Sequence, residues 1–127
     1  MTAILARLAA PALGLGLALV LAAPAQAAPG PRPASFAMCG ACHQTTAGAR
    51  PTIGPNLWGV GGRKAGTAPG YAYSEAMKKS GITWNRQSIM SFIAAPMKVV
   101  PGTKMTYSGQ KDAAQAGQIA DYLLSLR

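Results

Sequence analysis

The chain has 127 residues, enough for about one domain of the usual ~100–200 residues. Half of its residues are apolar and 12% are charged, a balance that excludes an intrinsically disordered chain. Twelve basic residues against three acidic ones give a net charge of +9, yet no run of basic residues is longer than two. We therefore expect no nucleic-acid partner, and the scattered positive charge suits weak docking to another protein.

Residues 1–27 have the pattern of a secretory signal peptide. Arg7 is their only charge, an apolar run follows over residues 8–23, and Ala25-Gln26-Ala27 is a small-residue cleavage site. We expect the mature protein to begin near Ala28 and to be exported to the periplasm. An uncleaved membrane anchor is the alternative, but prolines and glycines interrupt the ~20 apolar residues that a span requires.

The first part of the mature chain is predicted to contain little regular structure. Prolines make residues 28–33 an extended start, because proline cannot enter a helix interior. A short helix fits residues 33–42, with Phe36 as its apolar anchor. Glycines and prolines recur throughout residues 44–73, which indicates a long loop rather than a sheet. A loop of this length in a compact domain usually wraps around something.

Two helices are predicted after this loop. Ser74 is a plausible N-cap for a helix that ends at Ser80-Gly81. Asn85 can cap the next helix, which Pro96 ends. Apolar residues recur within it at helical spacing: Ile89, Phe92 and Ile93.

Another loop and a C-terminal helix complete the chain. Residues 97–110 are predicted to be the loop, after which Asp112 and Gln115 resemble a capping box. The helix that follows has one apolar face: Ile119, Tyr122, Leu123 and Leu126. Because no stretch alternates as strands do, residues 34–127 are predicted to form one all-α domain of about four short helices and long loops. So small an apolar core often needs an additional staple.

Both cysteines and the single histidine lie in one short motif. Cys39-Gly40-Ala41-Cys42-His43 is C-x-x-C-H, the attachment motif for c-type haem. Two cysteines one helical turn apart can reach the two vinyl groups, and His43 then lies under the iron as an axial ligand. A thioredoxin-like pair belongs in a βαβ pattern, and zinc requires four ligands. A disulfide formed after export would leave the adjacent histidine unexplained. We therefore predict one covalently attached haem.

A methionine commonly serves as the second axial ligand of an electron-transfer haem. The mature chain offers five candidates: Met38, Met77, Met90, Met97 and Met105. Met105 ends a turn-rich segment that could deliver a sulfur, and Met97 is its rival. Met38 and Met90 fall in predicted helices, where methionine more often fills the core.

Three further blocks follow the CGACH motif in order: GPNLWGVGGRKAGTAPGYAYS (residues 54–74), GITW (81–84) and PGTKM (101–105). With these blocks, the sequence from Phe36 to the C-terminus resembles class I cytochrome c, of the mitochondrial and small bacterial kind. The separations between the blocks fit the family without insertion or deletion. The resemblance implies the small cytochrome c fold, in which short helices and long loops wrap one covalently attached haem.

The resemblance also implies a role for each residue of the site. Cys39 and Cys42 would form thioethers to the haem, and His43 and Met105 would be its axial ligands. The carbonyl of Pro55 would accept a hydrogen bond from the His43 ring and so fix the orientation of that ring.

Other positions would surround the haem. Leu57 and Thr103 would line the pocket, and Lys98 and Lys104 would lie near the exposed haem edge. Two propionates in a small protein need hydrogen-bond donors. The donors implied by the resemblance are Arg63, Tyr73 and Trp84.

The sequence departs from the family pattern inside the domain. Prolines should shorten the first helix to about two turns, so that Phe36 must pack on the face formed by Tyr122 and Leu123. Phe92 stands where the mitochondrial branch has a tyrosine, and Met77 where it has an asparagine. Both changes make the pocket less polar, which predicts a reduction potential no lower than that of a typical His/Met member.

The function implied is that of a monomeric one-electron carrier, not an enzyme, without a small-molecule substrate. A respiratory or photosynthetic donor complex and an oxidase or reductase would dock at the haem edge, where Met38, Met97 and Asp112 replace lysines of the mitochondrial branch. One alternative is a haem subunit or membrane-anchored cytochrome bound to a dehydrogenase or oxidase complex. The other is a haem peroxidase or gas-binding protein, which needs an open sixth position that Met105 would close.

Overall fold

The computed structural model describes residues 22–127. Most of the predicted signal segment, residues 1–21, therefore lies outside the described residues. In the described part, residues 22–33 contain no helix or strand. None of the helices in this part is long and apolar enough to cross a membrane.

The first helical segment is as short as predicted. A single 3₁₀ turn, Ala34–Phe36, leads directly into α1, Ala37–Gly40. Phe36 is completely buried, and its ring lies edge-on to that of Tyr122 with 5.0 Å between the ring centroids. The predicted contact between the first and the last helix is thus confirmed, and it rests on an aromatic pair.

The caps of α2 and α3 agree with the sequence. α2 spans Glu75–Lys79, and the Ser74 hydroxyl accepts a hydrogen bond from the N–H of Met77 at 3.1 Å. α3 spans Arg86–Ala94 and begins with a reciprocal capping box. The Asn85 side chain accepts from the N–H of Ser88, and the Ser88 hydroxyl accepts from the N–H of Asn85, both at 2.9 Å. Ser88 had not been predicted to take part in this cap.

The structure corrects the prediction of a loop over residues 97–110. Pro96 ends α3 as expected, but it also begins a further helix, α4, which spans Pro96–Val99. Proline is favoured at the first position of a helix because its fixed φ suits the turn and its missing N–H has no intrahelical partner to lose. The loop therefore begins only at Val100.

The last helix, α5, spans Ala113–Ser125 and packs against α3. Asp112 caps it as predicted, accepting from the N–H of Gln115 at 3.0 Å. The reciprocal bond is made by another residue, because the Gln110 side-chain oxygen accepts from the N–H of Asp112 at 3.0 Å. Several side chains of α5 and its end are buried in the core: Ala116, Ile119, Ala120, Tyr122, Leu123 and Leu126.

The long loop is held to the rest of the chain by backbone hydrogen bonds. Within the described residues there is no strand, and a single antiparallel bridge joins Lys64 to Thr83. Around it the N–H of Trp84 donates to the carbonyl of Arg63 at 2.9 Å, and the N–H of Ala65 donates to the carbonyl of Ile82 at 2.8 Å. These bonds join the long loop to the segment between α2 and α3.

Candidate cofactor-binding site

A cavity of about 340 Å³ lies between the loops and the helices. Its wall is mostly apolar and includes core residues such as Phe36, Ile119 and Leu123. The ten residues that the sequence predicted for the site all line it: Cys39, Cys42, His43, Pro55, Leu57, Arg63, Tyr73, Trp84, Thr103 and Met105. Residues far apart in the sequence therefore meet around one space.

The C-x-x-C-H motif occupies the end of α1 and the turn after it. The carbonyl of Cys39 accepts from the N–H of Cys42 at 3.1 Å and from that of His43 at 3.0 Å. The helical turn thus continues through the motif, and both cysteines line the cavity. Burial raises the pKa of the Cys39 thiol, an effect opposed by a backbone hydrogen bond and by the charge of Arg32.

The imidazole of His43 is held by its neighbours. Its Nδ1 lies 2.8 Å from the carbonyl oxygen of Pro55, so the ring donates to that carbonyl when Nδ1 carries the proton. Burial lowers the pKa of His43, partly opposed by this bond, and so favours the neutral ring. A neutral ring that donates from Nδ1 leaves Nε2 with a lone pair for a metal.

Gly54 makes room for this ring. A Cβ atom at position 54 would lie 2.5 Å from Cε1 and 2.7 Å from Nδ1 of His43, closer than real contacts allow. The N–H of Gly54 also donates to the carbonyl of Cys42 at 2.9 Å. Gly54 was not among the predicted site residues, although Gly54 directly precedes the predicted Pro55.

Met105 reaches the cavity from the loop after α4. Its N–H donates to the hydroxyl of the buried Thr103 at 3.3 Å, and Thr103 itself is bonded to the carbonyl of Val100. Lys104, between them, donates to the carbonyl of Ala72 at 2.6 Å and so ties this loop to the long one. Met97, the rival sulfur, is 55% exposed and does not line the cavity.

The guanidinium group of Arg63 is hydrogen-bonded to backbone carbonyls of its own loop. It donates to the carbonyls of Trp58 and Asn56 at 3.0 and 3.1 Å. Burial lowers the pKa of the Arg63 guanidinium, and Tyr73 opposes this shift. Burial raises the pKa of the Tyr73 hydroxyl, and the charge of Arg63 opposes that shift. An arginine stays protonated in proteins, so the two side chains place a cation beside a hydroxyl in the cavity wall. Trp84 lies against Phe92, with 5.3 Å between the ring centroids.

Several lining residues were not predicted as part of the site. Met77 and Phe92, noted only as departures from the family, are buried in the wall. Tyr71 and Tyr107 also line the cavity, and the ring of Tyr71 lies 4.8 Å from that of Tyr73. Single aromatic residues in irregular loops carry no periodic signal, so no sequence pattern marked them.

The residues present fit a covalently attached haem. The cavity is apolar, and its wall contains two thiols one helical turn apart, an oriented imidazole and a thioether sulfur. The absence of a Cβ atom at Gly54 leaves room for the imidazole ring. Two cysteine thiols for covalent attachment, together with an imidazole and a thioether sulfur as candidate iron ligands, are the groups that a c-type haem requires.

Comparison with known proteins gives the same class. The family model described as cytochrome c matches residues 27–127. The chain is similar to cytochrome c2 of Rhodoblastus acidophilus, at 49% identity over 69% of this chain and 82% of the relative. It is similar to cytochrome c2 iso-2 of Magnetospirillum fulvum, at 44% identity over 74% of this chain and 97% of the relative. Among solved structures it resembles cytochrome cH from Methylobacterium extorquens, with 46% identity, a TM-score of 0.66, and coverage of 70% of this chain and 89% of that one.

The chain belongs to the cytochrome c family. It binds a c-type haem covalently through Cys39 and Cys42, and it is an electron-transfer protein that passes electrons between redox partners. The bound haem supplies an iron that cycles between the ferric and ferrous states.

Proposed function

We propose that His43 and Met105 are the axial ligands and that the protein works as a one-electron carrier with a closed iron site. The observation that carries the proposal is the 2.8 Å contact of His43 Nδ1 with the Pro55 carbonyl, which directs the other ring nitrogen away from that carbonyl. Met105 supports it as a half-buried sulfur in the same cavity wall. Two strong ligands that stay in place leave little to rearrange when the electron arrives.

The residues around these ligands hold them in place. Pro55 orients the His43 ring, and Thr103 fixes the backbone of Met105. Leu57 keeps the wall apolar and excludes water. The haem propionates would receive hydrogen bonds from the polar part of the wall: Arg63, Tyr73 and Trp84.

Two buried apolar side chains bear on the reduction potential. Met77 and Phe92 replace polar residues of the mitochondrial branch and are each 7% exposed. An apolar wall disfavours the extra positive charge of ferric iron. We therefore expect a potential at or above that of a typical His/Met member.

The cellular setting follows from the sequence. Residues 1–27 act as a cleaved export signal, residues 28–33 form an extended start, and residues 34–127 form the haem domain in the periplasm. The protein is a monomer that meets a donor complex and an acceptor oxidase or reductase in turn, each docking where the cavity reaches the surface. Such encounters bury small interfaces and dissociate quickly.

Visible spectroscopy of the haem-loaded protein tests the ligand assignment. We expect low-spin spectra in both redox states, a weak far-red band of sulfur-to-iron ligation in the oxidised state, and no binding of carbon monoxide. Met105→Ala should lose the far-red band, and the matched variant Met97→Ala should keep it. A high-spin spectrum with ready carbon monoxide binding in the wild type would contradict the closed site and indicate a peroxidase or gas-binding protein.

A further inference from the structure

We propose that the rim of the cavity is an apolar docking face, and that it fits a redox partner whose own face is apolar and uncharged. The rim consists of the described residues that both line the cavity and are exposed: Met38, Ala41, Ile53, Lys104 and Thr106. The inference rests on the proposed docking where the cavity reaches the surface, and it names the chemistry of the partner.

Two rim side chains are large, apolar and unusually exposed. Met38 is 70% exposed and Ile53 is 73% exposed, the highest values among the large apolar side chains of the described residues. Single exposed apolar residues are ordinary on protein surfaces. Here, however, both line the same cavity, and Met38 directly precedes the haem-attachment motif, so both lie where electrons would leave or enter.

The backbone holds these side chains in their exposed positions. The carbonyl of Cys42 accepts from the Thr52 hydroxyl at 2.7 Å and from the N–H of Gly54 at 2.9 Å, and Ile53 stands between these two donors. Met38 lies in α1, directly before Cys39. The segments that position the haem-binding cysteines therefore also carry the two exposed apolar side chains.

The positive charge of the chain is not concentrated on the rim. Lys104 is the only charged member, and its ammonium group is bound to the carbonyl of Ala72 at 2.6 Å. Elsewhere Lys78 is paired with Glu75 at 3.0 Å. A ring of free lysines would select an acidic partner face. Arg32 adds a second cation close to the rim, since its charge acts on Cys39. With so few cations at this edge, burial of apolar surface contributes more to affinity than it would on a face ringed by lysines.

A second copy of this chain presents the same kind of face, so electron self-exchange is a direct probe. One electron passes from a reduced copy to an oxidised copy with no net reaction, and NMR line broadening of mixtures measures the rate. Rates would be compared at about 0.01 M and about 0.5 M salt, where the screening length differs severalfold. The variants are Met38→Lys and Ile53→Lys, with Met38→Leu as the apolar replacement. Gln118→Lys adds the same charge at an exposed position on α5 outside the cavity.

We expect each rim lysine to slow self-exchange about fivefold at low salt, because like charges then face each other across the contact. The Gln118→Lys rate should change less than about twofold, Met38→Leu should slow self-exchange less than Met38→Lys does because it stays apolar, and the differences should shrink at high salt. Equal rates for the rim variants and Gln118→Lys would overturn the proposal.

A small anionic oxidant tests for the acidic-partner alternative. Oxidation of the reduced wild type by hexacyanoferrate(III) should slow with salt, because the whole chain is positively charged, and should be faster and more salt-dependent in Met38→Lys. A wild-type salt dependence as steep as that of Met38→Lys would show a strongly positive edge and overturn the apolar docking face in favour of an acidic partner. Failure of the closed-site proposal is recognised separately, since it appears in the wild-type spectra before any rate is measured.

Discussion

The helical and the loop sides of this molecule are stabilised in different ways. On the helical side, the 3₁₀ turn and α3 bury apolar side chains against α5, and Phe36 and Ile119 are almost completely covered by protein. On the loop side, residues 44–73 contain no helix and make many hydrogen bonds, and some of their apolar side chains, such as Leu57 and Val60, line the cavity. The helical side thus supplies a rigid wall, and the loop side depends on that wall and on what fills the cavity. Variants on each side should therefore differ in what they lose.

The largest expected effect is on the helical side. Phe36→Ala should lower the free energy of unfolding by about 3–5 kcal/mol, because it removes a completely buried ring that packs edge-on against Tyr122. Denaturant unfolding of the haem-loaded protein measures the loss. Phe36→Leu is the control and should lose much less, since it keeps most of the apolar contact. A loss below about 1 kcal/mol for the alanine variant would show that the helical side does not depend on this pair.

Gly54→Ala should affect the site more than the helices. The added methyl group would collide with the His43 ring and should break the hydrogen bond to Pro55, at a cost of about 1–3 kcal/mol. The visible spectrum and the reduction potential should change with it. Gly48→Ala is the control for backbone strain alone, because Gly48 has a positive φ of 71° but open space around it, so it should lose stability and leave the visible spectrum unchanged. An unchanged spectrum in Gly54→Ala would contradict the close fit of the ring.

Substitutions of two asparagines, one on each side, allow the stability of the two sides to be compared directly. Asn56 binds the loop to itself, donating to the carbonyls of Thr46 and Ala49 and accepting from the N–H of Trp58. Asn56→Ala should cost about 1–3 kcal/mol, because three hydrogen bonds within the loop, two of them partly buried, lose their partner. Asn85→Ala removes only the cap of α3 and should cost about 1 kcal/mol. Thermal unfolding of the two variants under identical conditions shows which substitution lowers stability more. A larger loss in Asn85→Ala than in Asn56→Ala would contradict a loop side held by hydrogen bonds.

The smallest effect concerns a surface ion pair on the helical side. Arg86 binds Asp121 at 2.7 Å and holds the pKa of that carboxyl below its ordinary value. The pair therefore adds stability above the pKa of the unfolded carboxyl and loses it as the pH falls through the lower folded pKa. Asp121→Asn should be slightly less stable at neutral pH and converge with the wild type in acid. Melting curves across this pH range test it, and parallel curves would contradict it.

Local chemistry explains which elements the sequence could predict. Ser74, Asn85 and Asp112 were identified as caps because a cap depends on a few neighbouring residues and on no distant contact. α4 was missed because Pro96 is both a stop for one helix and a favourable start for the next, and only the path of the chain decides between these roles. Ser88 was missed for a related reason, since serine is a less usual partner in a capping box than glutamate.

The site was predictable to the extent that it follows the family pattern. The C-x-x-C-H motif and the ordered blocks placed ten residues, and each of them lines the cavity. Asn56 and Gly54 were not identified, although both lie inside a matched block, because their importance comes from carbonyls and a ring that reach them through the fold. The exposure of Ile53 could not be predicted either, because it depends on the turn held by Cys42.

The contact between the two ends of the domain constrains the order of assembly. Gly30 donates to the hydroxyl of Ser125 across 95 residues of chain, and Phe36 packs on Tyr122 nearby. During synthesis from the N-terminus, Cys39 and Cys42 emerge before Ile119 and Leu123, which form part of the cavity wall. Haem can thus be attached before the chain has folded around it, whereas the cavity wall is completed only after α5 has been synthesised.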